Sequence, residues 1–279
     1  MQIDMIAMDL DGTILNNESH LSPYMRRALD YAVSRGVHLV ISSGRPFEAL
    51  PEEVTGIDGI EYAIVSNGAA VYRISTGEAI RSLTIDPAAV QKVLGLARDA
   101  GLFVETFIAG RPYAQADYLA DPAKFGAAPK RISYLQRTRH PVQDIFAFTE
   151  AHAHELESLD IVVRSKDSRA SIWHAAAQIP NVYVTSSTMS LVEVSAAGSG
   201  KGNAVRWLAD TLHVSRRNVV SCGNAENDID MLEAAGIAVA VANSPASVQS
   251  SADFVVPSNE DDGVGHFIYE HIPAAGAQS

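Results

Sequence analysis

Short apolar runs alternate with helix-like segments at both ends of this 279-residue chain, and this alternation strongly constrains the fold. Near the start, the runs MIAMDL, VHLVISS and YAIVS are separated by amphipathic segments over residues 22–35 and 47–54. The last part of the chain repeats the alternation with NVVSC, IAVAVA and DFVVP. Strands that alternate with helices predict βαβ units and a mostly parallel sheet.

Local signals support these elements. Ser22 and Pro23 mark the start of the first helix, and Gly36 marks its end. Runs such as VHLVIS and IAVAVA are apolar throughout, as in strands that are covered by helices on both faces. We therefore predict an α/β fold with a doubly wound, Rossmann-like sheet that both ends of the chain share.

The pattern changes in the middle of the chain. A helix over residues 87–100 precedes the strand-like LFVETFIAG, a stretch rich in Pro, Gly and Ala over residues 109–129, and a β-α-β unit through LDIVVRS, SIWHAAAQI and VYVTSS. We interpret residues 84–189 as an inserted α+β domain. The predicted α/β core is then discontinuous, over residues 1–83 and 190–272, and residues 273–279 form a disordered tail.

Composition narrows the class of partner. The net charge is −12 and no basic run occurs, which argues against nucleic-acid binding. Cys222 is the only cysteine, and no signal peptide or apolar stretch of about 20 residues is present, so we expect a cytoplasmic protein without a membrane partner. A monomer is the expected oligomeric state.

The strongest chemical signal is D-x-D-G-T, which Asp9, Asp11 and the residues after them form at the end of the first strand. Chance would produce this pattern at about one position in 10⁵. Side chains two residues apart on an extended segment lie on the same side, at the edge where α/β sheets bind ligands. Two adjacent carboxylates repel each other and suit a Mg²⁺ ion, although an acidic turn is the simpler alternative.

Ser43, Gly44 and Arg45 follow the next apolar run and precede a helix. A hydroxyl, a glycine and free amides at a helix start can hold phosphate, so these are candidate substrate-binding residues. The same residues would also make an ordinary strand-to-helix turn with an N-cap.

Lys201 lies between two glycines at the start of a predicted helix. It could hold a carboxylate nucleophile and a phosphoryl group together, or it could be a solvated lysine. The segment is not a P-loop, because G-S-G-K-G lacks the first glycine at the required distance and the Ser or Thr after the lysine.

The fourth candidate segment is GNAENDIDML, after the run NVVSC. Asn224 and Asp228 could supply oxygen ligands to a metal, and Asn227 could donate a hydrogen bond to phosphate. Helix capping by an asparagine is the alternative. All four segments follow a predicted strand or begin a helix, so they can lie along one edge of the sheet.

Taken in this order, D-L-D-G-T, S-G-R, the lysine before glycine and G-N-x-x-N-D-x-x-M-L resemble the haloacid dehalogenase superfamily, and within it the Cof-like phosphatases with an inserted α/β cap. The resemblance covers nearly the whole chain. It implies a Mg²⁺-dependent phosphatase that acts on a small phosphorylated metabolite, such as a sugar phosphate or a phosphorylated cofactor, and whose inserted domain selects that substrate. It implies the following roles: Asp9 as nucleophile, Asp11 as general acid/base, Lys201 as catalytic, the Leu10 backbone, Ser43, Gly44, Lys201 and Asn227 around phosphate, and Asp9 and Asp11 around Mg²⁺. Asn224 and Asp228 are the further candidate metal ligands.

One residue departs from the family pattern, since Asn224 stands where the family usually has Asp. The amide keeps an oxygen ligand but removes one negative charge, so we expect an active enzyme with a raised Mg²⁺ requirement. A phosphotransferase or phosphomutase with the same aspartyl-phosphate is an alternative. A binding protein with a weakened site is another.

Overall fold

The computed structural model of the protein describes residues 2–125, 127 and 129–273. These residues divide into two compact units. The first contains the described residues up to Gly44, Leu50–Ile80 and those from Gly200 onward, and the second contains Arg45–Ala49 and Arg81–Ser199. The predicted tail, residues 273–279, lies outside the described residues except for Pro273.

The first stretch of the chain begins with a buried strand, and its first helix has the predicted N-cap, since Ser22 Oγ accepts a hydrogen bond from the Met25 amide. The elements of this stretch are β1 (Met5–Met8), α1 (Pro23–Ser34), β2 (His38–Ser42), α2 (Glu52–Thr55), β3 (Ile60–Val65), β4 (Ala70–Arg73) and β5 (Glu78–Ser82).

The middle of the chain follows. Its elements are α3 (Pro87–Asp99), β6 (Phe103–Ile108), β7 (Arg111–Gln115), α4 (Ala116–Ala120), α5 (Pro129–Thr138), β8 (His140–Val142), α6 (Ile145–Ala151), β9 (Leu156–Val162), α7 (Lys166–Ala176), β10 (Val182–Thr185) and β11 (Leu191–Ala196).

The last stretch completes the first unit. Its elements are α8 (Lys201–Thr211), β12 (Val219–Gly223), α9 (Ile229–Ala234), β13 (Ile237–Val241), α10 (Ala246–Gln249), β14 (Phe254–Val256) and α11 (Gly263–His271). None of the helices in the described part of the chain is both long enough and apolar enough to cross a bilayer.

Across the described residues, the larger sheet has the order β14-β13-β12-β1-β2-β3-β4-β5. The pairs from β14 to β3 are parallel, and β4 is antiparallel to β3. The prediction of an α/β fold with a parallel core that both chain ends share is confirmed, because β1 lies between β12 and β2. Met8 is in register with both Cys222 and Ile41, so the residues after these three strands begin at the same edge.

The sheet of the second unit has the order β10-β11-β9-β6-β7-β8 over the described residues and is mostly antiparallel. Helices α3, α6 and α7 pack on the face that carries Val104, Leu159 and Val194. Glu105, Asp160 and Glu193 alternate with these residues and occupy paired positions on the opposite face.

Two details differ from the sequence-based expectation. The predicted boundary between residues 189 and 190 falls before β11, whereas the second unit extends to Ser199, because β11 pairs with both β9 and β10. The second detail concerns the predicted β-α-β unit. Strands β9 and β10 both pair with β11 in the antiparallel direction, so they run parallel to each other but are not neighbours.

Candidate active site

Asp9 and Asp11 follow β1 at the edge where β2 and β12 also end. The Asp9 amide donates to the carbonyl of Cys222 at 3.0 Å, so pairing with β12 continues one residue past the strand. The chain then turns back sharply, since the Leu10 carbonyl accepts hydrogen bonds from the amides of residues 13, 14 and 15. Gly12 has φ +81°, a conformation that favours glycine. The turn leaves Asp9 buried and Asp11 exposed.

Lys201 joins two of the acidic side chains. Its Nζ donates to Asp9 Oδ1 at 2.8 Å and to Asp228 Oδ1 at 2.6 Å. The Lys201 side chain is fully buried, so neither ion pair is screened by water as a surface pair would be. Of the two possibilities that the sequence left open, the solvated lysine is excluded.

The backbone geometry at the start of α8 places Lys201 in this buried position. Gly200 precedes the helix with φ 111° and has no capping side chain. Asp230, from α9, replaces that cap by accepting the Gly202 amide at 3.1 Å on Oδ2. A side chain at Gly202 would overlap the backbone carbonyl of Asp230, so glycine lets α8 and α9 approach closely.

Asp228 is held on both carboxylate oxygens. While Oδ1 accepts from Lys201, Oδ2 accepts from the amides of Asn224 and Ala225, each at 2.9 Å. These bonds order the loop between β12 and α9. They also fix the orientation of the Asp228 carboxylate between Lys201 and this loop.

The electrostatics of the site are unbalanced. Burial raises the pKa of Asp9 to about 7, with the negative charges of Asp228 and Asp11 acting in the same direction and Lys201 opposing them. Burial alone would lower the pKa of Lys201, but the carboxylates of Asp228 and Asp9 outweigh it and raise that pKa above its ordinary value. Lys201 is therefore charged at neutral pH, and the site lacks enough positive charge to keep Asp9 fully ionised.

Two hard oxygen atoms converge beside this carboxylate. Thr13 Oγ1 lies 3.0 Å from Asp9 Oδ2 and 3.2 Å from Asn224 Oδ1. A hydroxyl has one proton and can donate to only one of these oxygens at a time. Asp9 Oδ2 and Asn224 Oδ1 are thus both within hydrogen-bond reach of one hydroxyl. Together with Asp11, two residues along the motif, they offer carboxylate and amide oxygens of the kind that suit a divalent cation such as Mg²⁺. Within the described residues, no group of three or more Asp, Glu, His or Cys side chains forms a metal site, so the fit depends on the Asn224 amide oxygen.

The predicted phosphate-binding residues come together only in part. Ser43 and Asn227 are both buried and both contact Asn67: the Asn67 amide donates to the Ser43 carbonyl at 3.1 Å, and Asn227 Nδ2 donates to Asn67 Oδ1 at 3.0 Å. Gly44 directly follows Ser43. Arg45 belongs to the second unit, where its guanidinium lies 4.9 Å from the centre of the Tyr134 ring and donates to the Ala49 carbonyl.

Two residues of this site were not among the predicted site residues. Thr13 is the last residue of D-L-D-G-T, and its place in that motif is the sequence signal that could have identified it. Asn67 follows a predicted strand as part of Asn-Gly, which is equally typical of a turn, so only the fold reveals its contacts.

Known proteins are similar to this chain, in sequence or in fold, over nearly its whole length. Pyridoxal phosphate phosphatase YbhA of Escherichia coli is 27% identical over 278 residues, which cover 98% of this chain and all of that protein. The phosphatase YcsE of Bacillus subtilis, named for 5-amino-6-(5-phospho-D-ribitylamino)uracil, is 24% identical and covers 96% of this chain and 95% of that protein. The solved structure of a haloacid dehalogenase-like hydrolase from Bacillus subtilis superposes with a TM-score of 0.83 at 25% identity, over 96% of this chain and all of that one.

The chain belongs to the haloacid dehalogenase-like hydrolases, whose family model matches residues 6–268. Similarity over nearly full length to proteins named as phosphatases supports the same class of activity, the hydrolysis of phosphoric monoesters.

Proposed function

We propose that this protein is a Mg²⁺-dependent phosphatase that transfers the phosphoryl group of a small phosphorylated metabolite to Asp9 and then to water. The observation that carries the proposal is the buried contact of Lys201 Nζ with Asp9 Oδ1 at 2.8 Å. It places a permanent positive charge beside a carboxylate at the ligand-binding edge of a parallel sheet.

In the proposed first step, an oxygen of Asp9 attacks phosphorus, and the bond from phosphorus to the leaving oxygen breaks. Asp11 donates a proton to that oxygen, and Lys201 stabilises negative charge on the phosphoryl group. In the second step, Asp11 takes a proton from water, which attacks phosphorus and releases Asp9 and inorganic phosphate. The exposure of Asp11 suits it to exchange protons with substrate and water.

The residues proposed to hold Mg²⁺ are Asp9, Asp11 and Asn224. When bound, the cation neutralises phosphate charge and favours the ionised form of Asp9. We assign Asp228 a supporting role instead of direct ligation, because its two oxygens already accept hydrogen bonds from Lys201 and from two backbone amides. The Leu10 backbone, Ser43, Gly44 and Asn227 remain the proposed phosphate-binding groups. Arg45, which directly follows Gly44, remains a proposed substrate-binding residue.

The proposal is tested with a panel of phosphorylated metabolites that includes sugar phosphates and pyridoxal phosphate, assayed for phosphate release with Mg²⁺. The substrates for which the two similar phosphatases are named differ, so the panel has to be broad. Asp9→Asn should abolish turnover and leave the melting temperature close to that of the wild type, since the amide still accepts from Lys201. Residual hydrolysis within about tenfold of the wild-type rate would contradict a nucleophilic Asp9.

Two other functions could use the same site residues. A phosphotransferase would use the same residues, with an alcohol or a sugar in place of water, and product analysis with added acceptors distinguishes it from a hydrolase. A binding protein with a weakened site is suggested by Asn224, and phosphate release from any member of the panel excludes it.

A further inference from the structure

Asn67 connects three segments of the site that are far apart in the sequence. Its amide donates to the Ser43 carbonyl at 3.1 Å, its carbonyl accepts from the Gly200 amide at 2.9 Å, and its Oδ1 accepts from Asn227 Nδ2 at 3.0 Å. These contacts reach the end of β2, the residue before Lys201, and the segment before α9. Each of the three carries a group that the proposed function uses.

The backbone around Asn67 is strained. Ser66, Asn67 and Gly68 have φ values of 49°, 51° and 87°, three successive residues in the left-handed region. Asparagine tolerates this region better than most residues with a side chain. Gly68 is also constrained by packing, because a side chain there would overlap the Gly200 carbonyl. Such strain persists where the surroundings fix the conformation, and it is concentrated at functional sites.

The Asn67 side chain is well suited to orient a neighbour. It is 3% exposed, so water does not compete strongly for its acceptor. A carboxamide nitrogen has two protons, and the contact with Asn67 Oδ1 uses one of those on Asn227 Nδ2. The other can be directed at a ligand only if the first bond fixes the rotation of the Asn227 side chain.

We propose that Asn67 is a positioning residue, which aims the Asn227 carboxamide at the phosphate group and fixes the start of α8 beside Ser43. The inference rests on the proposed function, since it assumes that Asn227 binds phosphate. Asn67 needs no contact with the substrate for this role, because it acts through Asn227 and through the backbone before Lys201.

The test is a double-mutant cycle between Asn67→Gly and Asn227→Ala. Glycine keeps the left-handed backbone accessible and removes Oδ1. The dissociation constant of inorganic phosphate is measured by titration calorimetry in the presence of Mg²⁺, and KM and kcat are measured with the best substrate of the panel. We expect Asn67→Gly to raise the phosphate dissociation constant and KM roughly three- to tenfold, the range of one net hydrogen bond, with a smaller change in kcat.

In the double variant, the phosphate dissociation constant should lie within about twofold of that of Asn227→Ala alone, because both changes break the same link. Asn67→Ala is the matched control. It removes the same acceptor but disfavours the left-handed backbone, so it should bind phosphate as Asn67→Gly does and melt at a lower temperature. Either Asn67→Gly or Asn67→Ala can serve as the Asn67 variant in the double-mutant cycle with Asn227→Ala.

Three outcomes overturn the inference: effects of the two substitutions that multiply, an Asn67→Gly variant whose phosphate affinity and KM are unchanged, and a wild-type protein that binds no phosphate. A wild-type protein that binds phosphate but hydrolyses no member of the panel contradicts the proposed function alone, because the coupling is measured by binding.

Discussion

At the scale of single residues, the site is defined by how one lysine is shared. Lys201 contacts both Asp9 and Asp228, and Asp228 in turn orders the loop that carries Asn224. A change at position 224 therefore acts on a carboxylate environment that is already short of positive charge.

We expect Asn224→Asp to lower the Mg²⁺ concentration that gives half-maximal phosphate release. The substitution adds a negative charge beside Asp9 and Asp11 and supplies a carboxylate ligand in place of an amide. The measurement is a Mg²⁺ titration of activity at saturating substrate. Asn181→Asp, an exposed position in the second unit, makes the same change in net charge and should leave the titration unmoved. An unchanged half-saturating concentration in Asn224→Asp would argue against Asn224 as a ligand.

Much of this site could be predicted from residue types. Asp9, Lys201 and Asn227 were identified because motifs place them at strand ends and helix starts. The partner of each side chain could not be predicted, because it depends on pairing across long sequence separations. Asp228 was predicted as a metal ligand, and its hydrogen bonds with Lys201 and with two amides could not be foreseen from the motif. Asn67 lies in a segment that reads as a plain turn.

At the scale of elements, the crossing of α8 and α9 determines where Lys201 lies. The two helices meet at Gly202, whose amide is capped by Asp230 of α9. Glycine within a helix usually lowers stability relative to alanine, so its presence here reflects the close approach of the two backbones.

We expect Gly202→Ala to destabilise the protein by roughly 1–3 kcal/mol, because the added methyl group overlaps the Asp230 carbonyl and forces the helices apart. Activity should fall as well, since Lys201 moves with α8. The matched substitution is Gly95→Ala in α3, where nothing lies within 4 Å of the new methyl group. That variant should be more stable by about 0.5–1 kcal/mol. Both values come from denaturant unfolding, and equal effects would contradict the packing explanation.

Strands β7 and β11 were not predicted from the sequence, and each omission has a physical cause. Strand β7 contains Pro112 within a stretch rich in Pro, Gly and Ala, a composition that argues against a strand between two neighbours. Strand β11 is apolar enough to be a strand, but no local pattern shows which sheet it joins. By contrast, α1 and α3 were predicted to within a few residues because their caps and apolar spacing are local signals.

At the scale of the whole molecule, the stability should depend on pH through a buried acidic row in the second unit. Glu105 and Asp160 are paired across β6 and β9, and Glu193 is paired with Asp160 across β9 and β11. Arg139 contacts Glu105 at 2.6 Å, while Asp160 accepts from Ser158. Burial and the neighbouring Glu193 raise the pKa of Asp160 well above its ordinary value, with Glu105 adding to the shift and Ser158 and Arg139 opposing it.

A carboxyl group whose pKa is higher in the folded state binds more protons there than in the unfolded chain. Its contribution is therefore most favourable below the unfolded pKa of about 3.9 and is lost as pH rises toward the folded value. We expect Asp160→Asn to stabilise the second unit at pH 8 and to reduce this loss. In a Trp207→Phe background, the fluorescence of Trp173, the other of the two tryptophans, reports urea unfolding of that unit. The exposed control Asp99→Asn should show no such gain, and a less stable Asp160→Asn at pH 8 would contradict the expectation.

The central position of β1 has a consequence for biosynthesis. Asp9 and Lys201 are 192 positions apart, and β12, which flanks β1, is made later still. At about 5–20 residues per second, the ribosome needs roughly 10–40 s to pass from one residue to the other. Throughout that interval one edge of an apolar strand has no partner, and unpaired edges invite aggregation. In the nascent chain, the edge of β1 that pairs with β12 therefore stays open to pairing with other chains until β12 emerges.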